Sequence, residues 1–213
     1  MYLPTHFDER RPALLHGLVR REPLGLLITH GPGGLQANPV PFLLDPDAGP
    51  HGTLRAHVAR ANPVWREAGG TDVLVVFQGP QAYVSPNWYP SKAEHAKVVP
   101  TWNYVTVQAR GPLRTIEDPG WLRAFLTTLT ATHEAPQPRP WTLDEAPADY
   151  LEKMFGAIVG LEIELAAPLV GKWKVSQNRP AADRAGTVAG LAALPGEDAQ
   201  RMAREVAEPG SGV

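Results

Sequence analysis

The chain has 213 residues, with 20 Lys and Arg against 22 Asp and Glu and a formal net charge of −2. That length fits one domain, or a domain with a small appendage, and so even a balance leaves no general electrostatic footprint for coating nucleic acid or a membrane surface. With no cysteine, disulfides, cysteine-ligated metals, iron–sulfur clusters and thiol nucleophiles are excluded.

The first residues, Met1-Tyr2-Leu3-Pro4-Thr5-His6-Phe7, show no basic stretch followed by an apolar one, so no signal peptide is expected. No apolar run approaches the ~20 residues of a membrane-spanning helix, and a cytoplasmic protein free of the membrane is expected. A helix is predicted over 8–21, capped by Asp8, with Leu14, Leu15, Leu18 and Val19 on one face. Residues 24–29 read as a strand, Gly31-Pro32-Gly33-Gly34 as a hairpin turn and 35–44 as the returning strand. A third strand over 53–60 leads into Ala61-Asn62-Pro63, where Asn62 can cap a helix and Pro63 can occupy its first position.

Val73-Leu74-Val75-Val76-Phe77 is the most apolar strand and runs on past Gly79-Pro80 to Val84. A long strand over 101–116 buries Val105, Val107 and Ala109 and turns Thr106, Gln108 and Arg110 outward. Asp118-Pro119 opens a helix in which Trp121, Leu122, Phe125, Leu126 and Leu129 recur at helical spacing. Pro136, Pro138 and Pro140 read as a stiff extended connector. A helix over 149–157 and a strand over 159–165 follow, then one or two helices and a tail expected to be disordered from about Glu208. Short strands joined by short turns, without βαβ alternation, point to a mainly β chain with helices (α+β), a small antiparallel barrel with flanking helices. The expected division is a barrel domain over 1–194 and a C-terminal helix and tail over 195–213.

Several constellations could carry chemistry. Ser85-Pro86-Asn87-Trp88-Tyr89-Pro90 and Val99-Pro100-Thr101-Trp102-Asn103-Tyr104 crowd aromatic, amide and proline residues together. They read as a wall for a flat, partly polar ligand better than as ordinary packing. Arg55 and His57 share one face of the third strand, and Arg60 stands at its end beside the helix start at Asn62. That pattern fits a phosphate cradle, and equally a solvated polar strand face. The seven histidines are scattered, with no pair at metal-site spacing, so no metal site is expected. No Gly-x-Ser-x-Gly elbow occurs, and Gly31 to Gly34 lack the Gly-Lys-Ser/Thr ending of a phosphate loop. Lys172-Trp173-Lys174-Val175-Ser176-Gln177-Asn178-Arg179 offers cations and amides suited to the edge of a heterocycle, or forms a plain surface strand end.

Taken in order, these stretches resemble the PaiB-like FMN-binding negative transcriptional regulators. The resemblance runs through Met1-Tyr2-Leu3-Pro4, Gly52-Thr53-Leu54-Arg55 with His57, Ala61-Asn62-Pro63 with Trp65, and Phe77-Gln78-Gly79-Pro80. It continues through both aromatic stretches, Glu152-Lys153-Met154 and Lys172 to Arg179. It implies a split antiparallel β-barrel of the pyridoxamine-phosphate-oxidase type, a homodimer and FMN near the subunit interface. It further implies Arg55, His57, Arg60 and Asn62 near the flavin phosphate. Thr101, Trp102, Asn103 and Tyr104 would approach from the partner subunit, and Lys172, Gln177 and Asn178 would close the site. The family label implies gene repression, with DNA as a partner on that label alone. The alternative is a flavin-dependent oxidoreductase acting on a small molecule. The chain departs from the family pattern at Asn38 and Gln108, where histidines are common.

Overall fold

The computed structural model describes residues 1–212. The chain divides into two compact units, and each is discontinuous in sequence. Unit 1 takes residues 1–22, 77–108 and the chain from Leu169 onward; unit 2 takes Pro23–Val76 and Ala109–Pro168.

Unit 2 holds most of the sheet. Strands β2 (Leu24–Gly31) and β3 (Gly34–Pro41) form the expected hairpin, closing at Gly31 opposite Gly34, whose φ of 93° suits glycine. Residues 35–44, expected as one strand, divide at Phe42, whose N–H turns back to the Pro23 carbonyl at 2.8 Å; β4 (Leu43–Asp45) then pairs elsewhere. Its partner is β5 (Thr53–Ala59), with Leu43 opposite Arg55. β5 in turn pairs antiparallel with β8 (Ile158–Glu164) along its whole length, from Thr53 opposite Glu164 to Ala59 opposite Ile158. The first half of β6 (Asp72–Val84) pairs with β2, and the second half of β7 (Thr101–Ile116) pairs with β8.

Helix α4 (Pro119–Glu134) starts as expected: the Asp118 carboxylate accepts the Trp121 N–H at 2.7 Å, and Pro119 occupies the first turn. Its Leu122, Phe125 and Leu129 are buried. The Trp121 ring lies so close to the β8 backbone at Gly160 that a side chain there would clash with it. Helix α5 (Ala148–Gly156) adds a cluster of Leu143, Leu151 and Phe155, with Leu126 and Ile158 packed against it. The prolines between these helices do not extend the chain. Residues 135–139 form turns and bends, and the Trp141 N–H returns to the Glu134 carboxylate at 2.9 Å.

In unit 1, helix α1 is shorter than predicted, Pro12–Arg21. Asp8 does not cap it. Asp8–Glu9 instead form β1, paired with β9 (Val170–Lys174), and the Asp8 carboxylate takes the Arg10 guanidinium. The reason is Pro12, which suits the first helical position and removes the N–H that an earlier start would need. β9 also pairs with the first half of β7, from Tyr104 opposite Lys174 to Gln108 opposite Val170. Helix α6 (Ala181–Ala192) and helix α7 (Glu197–Ala207) pack on one another. Beyond α7, the Glu205 carboxylate accepts N–H groups of Gly210 and Gly212 at 2.8 and 2.9 Å.

Candidate functional site

The sequence-derived site residues fall into two groups, one in each unit. In unit 2, Arg55 and His57 lie on one face of β5, while Leu54, Ala56 and Val58 are buried on the other, as a period of two requires. Arg55 Nη1 is 2.9 Å from Asp45, and its Nε is 3.1 Å from Glu162, which also pairs with Arg114. Burial alone would raise the Glu162 carboxyl; hydrogen bonds from Arg114 and Arg55 outweigh it and hold the group below its ordinary value. His57 stands edge-on to Phe125 at 5.9 Å, and its Nδ1 is buried without a hydrogen-bond partner. Burial lowers its pKa, so the imidazole is neutral at pH 7.

Arg60 donates to the carbonyls of Gly156 at 2.8 Å and Ile158 at 3.2 Å and pairs with Glu117. It and Arg55 therefore work at opposite ends of the β5–β8 ladder, with backbones about 17 Å apart at the usual strand rise. The structure does not bring the two guanidiniums together, and each already has a carboxylate. Asn62 does serve the helix start: its Oδ1 accepts the Val64 N–H at 3.0 Å, ahead of the single turn α2 (Val64–Glu67). Its Nδ2 donates to Asn38 Oδ1 at 3.3 Å.

In unit 1, the alternation of β7 sorts its residues onto two faces. Trp102, Tyr104 and Thr106 share one with Lys174 and Lys172, which lie opposite Tyr104 and Thr106 on β9. Tyr104 sits between the two ammonium groups, 5.2 Å from Lys172 and 5.9 Å from Lys174. Lys174 Nζ donates to Thr101 Oγ1 at 2.5 Å and to the Trp102 carbonyl, while Lys172 Nζ donates to the Tyr2 carbonyl at 3.0 Å. Burial, then the charges of Lys172 and Arg179, holds Lys174 below its ordinary value. On this face lies a cavity of about 210 Å³, lined by Gln78, Gly79, Gln81, Trp102, Tyr104, Val105 and Thr106. Trp102 is 53 % exposed and meets Tyr83 edge-on at 6.2 Å.

Two expected contributors, Asn103 and Gln177, make hydrogen bonds within the chain. Asn103 points to the opposite, buried face, where its Nδ2 donates to Ser176 Oγ at 2.9 Å. Gln177 turns its amide onto its own backbone, accepting from Val175 N at 2.8 Å and donating to the Trp173 carbonyl at 2.5 Å. Asn178 is exposed. Gln78 and Gln81, outside the sequence-derived set, line the cavity. Their signal was the apolar strand's abrupt change to Gln78-Gly79-Pro80-Gln81.

The segment Ser85 to Pro90 is not a free ligand wall. Trp88 beds against α6, where a Cβ on Gly186 would run into its carbonyl oxygen and one on Gly190 into its ring. Tyr89 is buried, with the Arg179 guanidinium 4.8 Å from its ring, and Asp183 accepts from both the N–H and the hydroxyl of Ser91. Among the described residues no group of His, Asp and Glu is placed to hold a metal ion, and no helix is long and apolar enough to cross a membrane.

An antiparallel β chain with flanking helices and a polar, aromatic-edged cavity defines a ligand-binding split barrel. Its backbone is similar to that of the FAD and heme binding protein from Mycobacterium smegmatis, with a TM-score of 0.55 at 17 % identity, covering 78 % of this chain and 73 % of that one. The family described as "Putative FMN-binding domain" matches residues 1–167. An uncharacterized protein of Emericella nidulans is 33 % identical over 99 % of this chain and 98 % of its own. The Bacillus subtilis protease synthase and sporulation protein PAI 2 is 30 % identical over 95 % of each chain. The chain belongs to this PaiB-like FMN-binding family, and its cofactor is FMN.

Proposed function

We propose that the chain works as an FMN-binding homodimer in negative transcriptional regulation, with the flavin at the subunit interface. The observation that carries this reading is the polar cavity beside Trp102 and Tyr104 in a chain carrying the FMN-binding domain. The residues there fit the group. Trp102 and Tyr104 offer rings for the flat tricycle and Gln78 and Gln81 offer amides for its polar edge, with Lys172 and Lys174 as cations against the Tyr104 ring. When bound, FMN supplies one- and two-electron transfer; the protein binds, orients and tunes it.

The cavity's 210 Å³ is below the roughly 300–1,000 Å³ of an ordinary small-molecule site, so a second surface has to close over the flavin. Exposed Trp102 and Tyr83 provide aromatic area for a second copy to cover. In this reading one copy contributes Thr101, Trp102, Tyr104 and Lys172, with the exposed Asn178 closing the site and Asn103 and Gln177 supporting the loop behind them. The other contributes Arg55, His57, Arg60 and Asn62, with Arg55 exchanging its carboxylate partners for phosphate oxygens and Arg60 serving the far end of the strand.

Fluorescence titration with FMN, combined with sedimentation, tests the proposal. One flavin per chain in a dimer supports it; no binding at high micromolar FMN overturns it. Flavin-dependent oxidation or reduction of a small molecule is the second reading, favoured by the Gln78 and Gln81 amides in the cavity lining, which suit a polar substrate. Rapid bleaching of bound FMN by NADPH would select it. A mobility shift of operator-length DNA at low salt, absent bleaching, would select regulation by direct contact.

A further inference from the structure

We infer that Lys172, Lys174 and Arg179 form an oxyanion-binding rim on unit 1 that takes a phosphate-class group. Four arginines of this chain have their charge met within it. Arg55, Arg60, Arg114 and Arg201 each face a carboxylate: Asp45 and Glu162, Glu117, Glu162, and Glu22. Among the described residues no carboxylate pairs with Lys172, Lys174 or Arg179.

The location makes that absence expensive. Lys172 is only 7 % exposed, and the hydrogen bond its ammonium makes is to a neutral carbonyl, that of Tyr2. Lys174 also finds only neutral acceptors, at Thr101 and Trp102. The two share the Tyr104 ring; Arg179, five residues beyond Lys174 with its guanidinium 4.8 Å from the Tyr89 ring, adds with Lys172 to the charge that disfavours the Lys174 ammonium. Partly buried like charges without a counter-charge repel one another, and a bound anion relieves both the repulsion and the lost solvation. Asp8, opposite Lys172 on β1, already takes the Arg10 guanidinium, and the Tyr2 and Tyr104 rings carry no formal charge. A phosphate oxygen set can take several N–H donors at once, which suits two ammoniums and a guanidinium.

The group could be the phosphate of FMN itself or that of a second ligand beside the flavin. Calorimetric titration of the full chain with FMN, riboflavin and inorganic phosphate separates these. The variants are Lys174→Met, Arg179→Met and the charge-preserving Lys174→Arg, each checked for native circular dichroism. Both methionine variants are expected to weaken a phosphate-bearing ligand at least tenfold. Lys174→Arg is expected to recover most of the affinity, and riboflavin affinity to stay unchanged. Loss for FMN but not riboflavin assigns the rim to the cofactor's own phosphate. Loss for inorganic phosphate with FMN unaffected assigns it to a second ligand. Phosphate binding that depends on Lys174 in a chain that binds no flavin would sink the FMN reading and leave the rim standing. Wild-type affinities for FMN and phosphate in folded Lys174→Met and Arg179→Met overturn the rim.

Discussion

Asn103 Nδ2 donates to Ser176 Oγ at 2.9 Å in a setting where both residues are buried. Ser176 is held at φ 63°, a left-handed conformation uncommon for a residue with a side chain. The hydrogen bond thus fastens the turn that follows β9 to the buried face of β7, behind the cavity rather than inside it. Asn103→Ala should destabilise the fold by about 1–3 kcal/mol, since it leaves the Ser176 hydroxyl buried without this partner. Urea denaturation measures this. A loss of FMN affinity without loss of stability would instead show that Asn103 touches the ligand.

The glycines of α6 yield a second prediction. Gly186 and Gly190 admit the Trp88 backbone and ring where any Cβ would overlap them. Gly186→Ala meets a carbonyl oxygen, which cannot swing away as a flexible side chain can, so α6 must shift. The cost should be roughly 1–3 kcal/mol or more, although alanine is the better helix former. A thermal melt at or above the wild-type midpoint would contradict the packing described here.

For the flavin, Arg55→Ala is the informative change in unit 2. If Arg55 exchanges Asp45 and Glu162 for phosphate oxygens, its removal should weaken FMN by roughly 1.5–3 kcal/mol, the scale of a charge-assisted hydrogen bond. Riboflavin should be unaffected. Unchanged FMN affinity in a folded variant would confine Arg55 to its two carboxylates.

Two buried groups tilt stability with pH in opposite directions. Burial raises Glu205, so its unfolded form ionises first, and stability falls as pH rises from about 4.5 through the folded value. Burial lowers His57, so its unfolded form takes a proton first, and stability falls as pH drops below about 6.5. Urea midpoints between pH 4 and 8 should lose the first slope in Glu205→Gln and the second in His57→Gln. Glu205→Gln should also lower the plateau by about 1 kcal/mol, because an amide offers one oxygen where Gly210 and Gly212 now use two. Slopes that survive these substitutions would place the titration elsewhere.

The strands were legible because alternation is written locally: Val105, Val107 and Ala109 announce which way β7 faces without knowledge of its neighbours. The same rule set Tyr104 and Asn103 on opposite faces, but only the pairing with β9 tells which face meets the cations. The seat of Trp88 is not legible locally, because the glycines that receive it lie about a hundred residues further on and nothing nearby marks a glycine as a seat for an aromatic ring. Arg55 and Arg60 looked like one cradle because spacing along a strand says nothing of Asp45, Glu162 and Glu117, which other elements bring to them.

The threading of the two units constrains how the chain can be dissected. Unit 1 is assembled from three separate stretches and unit 2 from two, with β6 and β7 each passing from one unit into the other partway along. No single cut releases either half of the molecule as a continuous polypeptide. A truncation that removes one half-site therefore severs strands on which the other depends. Fragments of this chain therefore cannot separate the two units, and either set of residues has to be tested by substitution in the whole chain.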